Sequence, residues 1–125
     1  MTVGIAGSRS LNTDIPEGLI GDDVTMIYSG GAVGMDRSAR RYGTEHHITV
    51  TEILPEYDLY GRAAPLRRND WIIRMSDFMY IFWDGKSRGS DYVIKQCRKT
   101  GKPYAVYIWK DDRFVRADEE EVKNV

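Results

Sequence analysis

Phe78-Met79-Tyr80-Ile81-Phe82-Trp83, continued by Asp84-Gly85-Lys86-Ser87-Arg88-Gly89-Ser90, is the stretch that decides the fold of this 125-residue chain. Its first six positions are apolar without a break. A half-exposed strand would alternate, so an unbroken run predicts a strand covered on both faces, as in a parallel sheet. The loop that follows is rich in glycine and small hydroxyls. Residues 90–100 then gather Tyr92, Val93, Ile94 and Cys97 in one segment that ends at Gly101, a residue suited to a helix C-cap.

Outward from this stretch, four more apolar runs recur: residues 2–6, 24–28, 48–53 and 104–109, all rich in β-branched or aromatic residues. Helices are expected at 35–46, after a glycine-rich turn, and at 66–76, where Leu66, Ile72, Ile73 and Met75 approach helical spacing. The first connection, 10–22, is broken by Pro16, Gly18 and Gly21 and gives no clear helix. Strand alternating with helix implies a mainly parallel sheet of about five strands with helices on both faces. The expected fold class is therefore α/β, a single Rossmann-like three-layer domain over residues 1–110, followed by an acidic tail at 111–125.

Composition agrees with one globular domain. Hydrophobic residues make up 42% and charged residues 30%, which excludes a wholly disordered chain. No apolar run approaches the roughly 20 residues needed to span a bilayer, and the N-terminus lacks the pattern of a signal peptide. A soluble, cytoplasmic protein with no membrane partner is expected. The lone Cys97 cannot form an internal disulfide; His46 and His47 lack a third ligand at sensible spacing, so neither a metal nor a cofactor is expected. Net charge is −1. Residues 111–125 hold six acidic and three basic groups, leaving 15 basic against 13 acidic in residues 1–110. Such a near-neutral balance disfavours a nucleic-acid partner.

In an open parallel sheet ligands bind beyond the carboxyl ends of the strands. The sequence places four loops there. They are Gly7-Ser8-Arg9, the run Ser29-Gly30-Gly31-Ala32-Val33-Gly34-Met35-Asp36, the segment from Tyr57 to Asn69 with Arg68, and Asp84-Gly85-Lys86-Ser87-Arg88-Gly89-Ser90. Glycines let backbone N–H groups approach an anion, and helices starting after Gly34 and Gly89 direct their free N–H groups at the same space. Ser8, Ser87 and Ser90 could donate to phosphate oxygens, and Arg9, Arg68 and Arg88 could add charged contacts. Asp36 and Asn69 could read ribose or base, and Tyr57 or Tyr60 could stack a base. Each has a plainer alternative: Gly30-Gly31 as a tight turn, Asp36 and Ser90 as helix caps, and Arg9, Lys86 and Arg88 as solvated charges. Trp83 and Trp109 read as packing residues.

These loops, in this order over roughly residues 3–108, resemble the SLOG superfamily, in its YspA/YpsA-like branch of small bacterial and phage proteins. The resemblance implies a Rossmann-like domain that binds a nucleotide or nucleotide-derived ligand, with phosphate cradles at the second and fourth strand ends. Relatives fall into several classes: LOG proteins cleave the N-glycosidic bond of nucleoside monophosphates, others sense nucleotide signals or carry molybdenum cofactor, and the DNA-processing protein A group binds single strands. The LOG signature after strand four reads Pro-Gly-Gly-x-Gly-Thr-x-x-Glu; aligned on Gly89-Ser90, its glutamate falls on Val93, which cannot ionise. The other nearby carboxylates are Asp84, before the loop, and Asp91, turned roughly 200° away on a helix. Ser90 replaces a commoner threonine, and Ala64 stands where many relatives have glycine. The expected function is nucleotide binding rather than LOG-type hydrolysis, for which Asp36 or Asp84 would have to substitute. Relatives often self-associate, and Trp71 or Tyr107 could serve a homo-oligomer interface.

Overall fold

The computed structural model describes residues 1–117; the acidic run Asp118–Glu121 lies outside the described residues. Strands form where the apolar runs predict them: β1 (Thr2–Gly7), β2 (Met26–Ser29), β3 (Thr49–Glu52), β4 (Phe78–Trp83) and β5 (Tyr104–Lys110). Helices α1 (Met35–His46), α3 (Ala64–Met75) and α4 (Arg88–Thr100) fall at the expected places. A short α2 (Tyr57–Tyr60) and a 3-10 turn (Gly61–Ala63) lead into α3. The sheet order is β3-β2-β1-β4-β5-β6, parallel except for the last pair. This is a broadly Rossmann-like α/β arrangement.

Side-chain alternation sorts the strands into two cores. Val3, Ile5, Ile27, Tyr80, Phe82, Ala105 and Tyr107 face α1, which buries Met35, Ala39 and Tyr42 at helical spacing. Met79, Ile81, Trp83, Val106 and Ile108 face the opposite way onto Ile72 and Ile73 of α3 and Val93, Ile94 and Cys97 of α4. β4 therefore contributes to both cores, which explains its unbroken apolar run. The α4 terminus closes on Gly101 (φ 75°), with Lys102 N–H donating to Cys97 O at 2.9 Å.

The connection from β1 to β2 carries no helix, yet it is packed. Leu11, Ile15, Ile20 and Val24 are buried beside α1. Ser38 Oγ donates to Thr13 O at 2.5 Å, and Gly21 N–H donates to Tyr80 Oη at 3.3 Å. Four apolar anchors thus do the covering that a crossover helix would do, despite the helix-breaking Pro16 and the glycines.

Two expectations are corrected. The sheet has six strands instead of about five, because Arg113–Ala117, expected in the tail, forms β6 antiparallel to β5. Asp111 (φ 51°) and Asp112 (φ 60°) make the two-residue turn, both left-handed as a type I′ hairpin requires. Phe114 of β6 packs edge-on against Phe82 at 5.0 Å and Trp109 at 4.9 Å. Secondly, Tyr107 is not available for an interface: it is buried, stacked on Phe82 at 5.6 Å and covered by Arg116. Trp71 is exposed, with Arg74 over its ring. Among the described residues no helix is long and apolar enough to cross a membrane.

If β6 belongs to the fold, Phe114→Ala lowers stability by about 2 kcal/mol, below the ~3–5 kcal/mol of a fully buried phenylalanine because Phe114 is half-buried. A urea-unfolding midpoint that falls by the corresponding amount checks this; an unchanged midpoint would return the segment to the tail.

Candidate functional site

β1 and β4 are neighbours, but the chain leaves β1 toward β2 and leaves β4 toward β5. Connections that depart in opposite directions open a crevice at the carboxyl ends of such a strand pair. A cleft of about 410 Å³ lies there. Its wall takes residues from all four expected loops: Gly7, Ser8 and Arg9; Gly30 and Asp36; Arg68 and Asn69; and Asp84, Ser87, Gly89 and Ser90.

Three expected site residues do not line it. Gly34 (φ 77°) starts α1, and a Cβ there would lie 2.6 Å from Ser8 O. Its role is to let α1 approach the end of β1. Gly31 faces Glu52 and Leu54 of the β3 side, and Gly85 (φ 82°) turns the fourth loop. Tyr57, Tyr60 and Arg88 are also outside the wall. Residues that the sequence reading did not assign to the site complete it: Ser10, Arg62 and an apolar side made by Ile5, Leu66, Ile72 and Val93. Nothing in the sequence separates Arg62 from Arg67. The structure does, since Arg67 turns to Asp70 at 3.5 Å while Arg62 reaches the cleft.

The serines form a directed chain. Asp84 N–H donates to Ser8 Oγ at 3.0 Å, Ser8 and Ser87 hydroxyls meet at 2.7 Å, and Ser87 Oγ donates to Ser90 Oγ at 3.1 Å. Because a hydroxyl has one proton and that of Ser87 goes to Ser90, Ser8 must be the donor to Ser87. The chain therefore ends on Ser90, whose own proton has no acceptor among the described residues. Ser90 is buried and lines the cleft. Ser8 lines the cleft but is 1% exposed, and both its proton and an acceptor site are used inside the protein. The Arg88, Gly89 and Ser90 amides at the start of α4 likewise have no intrahelical acceptor, the first intrahelical bond running from Asp91 N–H to Ser87 O at 3.2 Å.

The two cleft aspartates differ. Partial burial pushes the Asp84 carboxyl up, but donation by Ser10 and by the Lys86 and Ser87 amides outweighs it and holds the pKa at about 2. Asp84 is a strut of the fourth loop, with Oδ1 accepting both amides at 2.8 Å and Oδ2 accepting Ser10 Oγ at 2.5 Å. Asp36 is shifted upward, chiefly by burial, against the opposing influence of the Ala32 amide and the Arg68 charge. Burial lowers the pKa of Arg68, with Asp36 opposing and Arg9 reinforcing that shift. Arg68 Nη1 donates to Gly30 O at 2.7 Å and Nε to Asn69 Oδ1 at 2.8 Å, while Nη2 has no acceptor among the described residues.

No family model, curated protein or solved structure matches this chain. The chemistry of the cleft therefore rests on its geometry.

Elsewhere, Glu17, Glu45 and His46 bring potential ligand atoms within 4.8 Å of one another. In this exposed cluster His46 Nε2 meets Glu17 Oε1 at 2.9 Å, tying the β1–β2 connection to the end of α1. Cys97 is buried in the α4 core, and burial pushes its thiol up to about 12, which makes it an inert packing residue.

The Asp84 geometry fixes a pH dependence. A folded-state pKa of about 2, below the ~3.9 of an unfolded aspartate, adds stability that is present above pH ~4 and lost as the pH falls toward 2. Asp36, raised on folding, acts in the opposite sense: its contribution is fully present below the unfolded pKa and lost as pH rises through its folded value. The stability advantage of the wild type over Asp84→Asn accordingly shrinks between pH 4.5 and 2. Urea unfolding of both proteins across that range reads it, and a pH-independent difference would contradict the strut role.

Proposed function

We propose that this domain binds a nucleotide or nucleotide-derived ligand in the β1/β4 cleft, with a phosphate against the first turn of α4. The observation that carries this reading is the direction of the serine chain, which delivers an uncommitted hydroxyl proton from buried Ser90 into a cleft lined by Arg9, Arg62 and Arg68. Donors without acceptors beside guanidinium groups favour an anion. Asn69, whose amide nitrogen is uncommitted among the described residues, and Asp36 supply a donor and an acceptor for hydroxyls or a base. The apolar side from Leu66 to Val93 suits the flat face of a sugar or base. The resemblance of these loops to the SLOG superfamily points the same way.

Binding without turnover is the reading the residues favour. Glycosidic cleavage needs a carboxylate free to approach the anomeric carbon. Asp84 commits Oδ1 to its own loop and Oδ2 to Ser10, and position 93 is a buried valine in the α4 core.

Native mass spectrometry with AMP, cyclic nucleotides, NAD, ADP-ribose and cyclic ADP-ribose tests the proposal. An intact adduct with no free base is expected. Arg62→Ala, an exposed side chain with no structural bond among those described, is expected to weaken the adduct about tenfold while leaving the melting temperature unchanged. Absence of any adduct would overturn nucleotide binding, and release of free base would make the protein an N-glycosidase.

A further inference from the structure

The opposite edge of the sheet, far from the β1/β4 cleft, holds a second hollow. A groove of about 740 Å³ opens beside the amino end of β5, against the last turn of α4. Arg98, Lys102, Arg116 and Tyr104 line it, with Pro103 and Ala117 among its apolar residues. Among the described residues no carboxylate lines it.

Two of the three cations have work inside the protein. Lys102 Nζ donates to Ser76 O, and Arg116 reaches the Tyr107 ring at 5.7 Å. Arg98 is different. Its Nε donates to Tyr104 Oη at 2.9 Å, and neither Nη nitrogen has an acceptor among the described residues. Nη2 is buried in that state. A place in the last turn of α4 accounts for a positive charge, through the helix dipole. It does not account for a buried donor left unpaired, which folded proteins rarely tolerate. Tyr104 Oη accepts from Arg98, and its own proton has no acceptor among the described residues. What this corner lacks is an acceptor.

The setting selects the kind of anion. α4 ends here, so the helix dipole presents its negative pole to the groove, which disfavours a phosphate dianion. A planar guanidinium edge matches the two oxygens of a carboxylate. The apolar residues beside it suit a short hydrocarbon body.

We propose that this groove binds the carboxylate of a small organic acid, held by Arg98 with the Tyr104 hydroxyl beside it. Arg98 Nη1, which is not enclosed, meets one oxygen, and the other supplies the acceptor that Nη2 lacks. The site is separate from the β1/β4 cleft and stands whether or not that cleft takes a nucleotide.

An NMR titration of the full-length protein with butyrate and phenylacetate tests this, read at the Arg98 Nε–H and at the amides of residues 104–106. Saturable shifts are expected with at least one acid, none with phenylacetamide, and weaker binding of phenyl phosphate. Arg98→Lys keeps the charge but loses the fork, and is expected to weaken acid binding about tenfold. Tyr104→Phe is expected to weaken it about threefold, whereas Arg62→Ala, in the other cleft, leaves it unchanged. No saturable shift with either acid, equal response to phenylacetamide, tighter binding of phenyl phosphate, or undiminished affinity in both folded groove variants would overturn the proposal. Binding that appears only when Asp118→Asn, Glu119→Gln, Glu120→Gln and Glu121→Gln are combined would also overturn it, and would assign the groove to the chain's own acidic run. The acid-against-amide comparison on the wild type decides the matter even if Arg98→Lys does not fold.

Discussion

One buried serine holds the site and much of the fold in register. Ser8 follows the last residue of β1, where the neighbouring connections must diverge. Its N–H donates to Phe82 O at 3.0 Å, and its carbonyl accepts the amides of Leu11 at 3.3 Å and Met35 at 3.4 Å. Its hydroxyl takes the Asp84 amide and gives its proton to Ser87. The residue thereby joins β1, the β4 loop, the start of α1 and the helix-free connection. A polar side chain this buried is tolerated because it is satisfied, and a satisfied network fixes one arrangement of the loops around it. Gly34 is the complementary constraint, since only a residue without Cβ lets α1 come this close to Ser8 and Arg9.

The cleft inherits its polarity from that arrangement. Asp84 and Asp36 are both turned toward their own loops, one to the amides of Lys86 and Ser87 and the other to Ala32. Each organises a turn, yet they leave different surroundings. At Asp84 the loop is stiffened and the hydroxyl chain is pointed into the cleft. At Asp36 a carboxylate takes up the amide a ligand could have used. The uncommitted donors are thus left on the α4 side, although the sequence shows glycines at both strand ends. A rigid frame of this kind suits capture of an anion and offers little freedom for a carboxylate to move through a reaction.

Much of the fold was legible because the governing signals are local. The unbroken run from Phe78 to Trp83 reports two-sided burial, and Gly101 reports a helix end. β6 was hidden for a physical reason. Its turn is Asp111-Asp112, two left-handed residues without the glycine that usually marks such a turn, and the strand lies beside an acidic run that looks like a tail. The connection after β1 has buried anchors but no periodicity, so only tertiary contact explains it. For the site, the strand-end rule brought the four loops together correctly. It could not say which glycines serve a ligand and which serve packing, because that depends on what faces each Cα. Nor could it show that Ser8 is consumed internally, that Arg62 turns inward, or that Asp36 occupies the β2 turn.

The most direct test of the account is an amide chemical-shift map of the protein titrated with AMP. The account predicts that the Gly89 and Ser90 amides move with ligand while Gly31 and Ala32, already bonded to Ser29 and Asp36, stay in place. Movement of Gly31 and Ala32 with Gly89 and Ser90 unchanged, or no movement at the cleft at all, would contradict it.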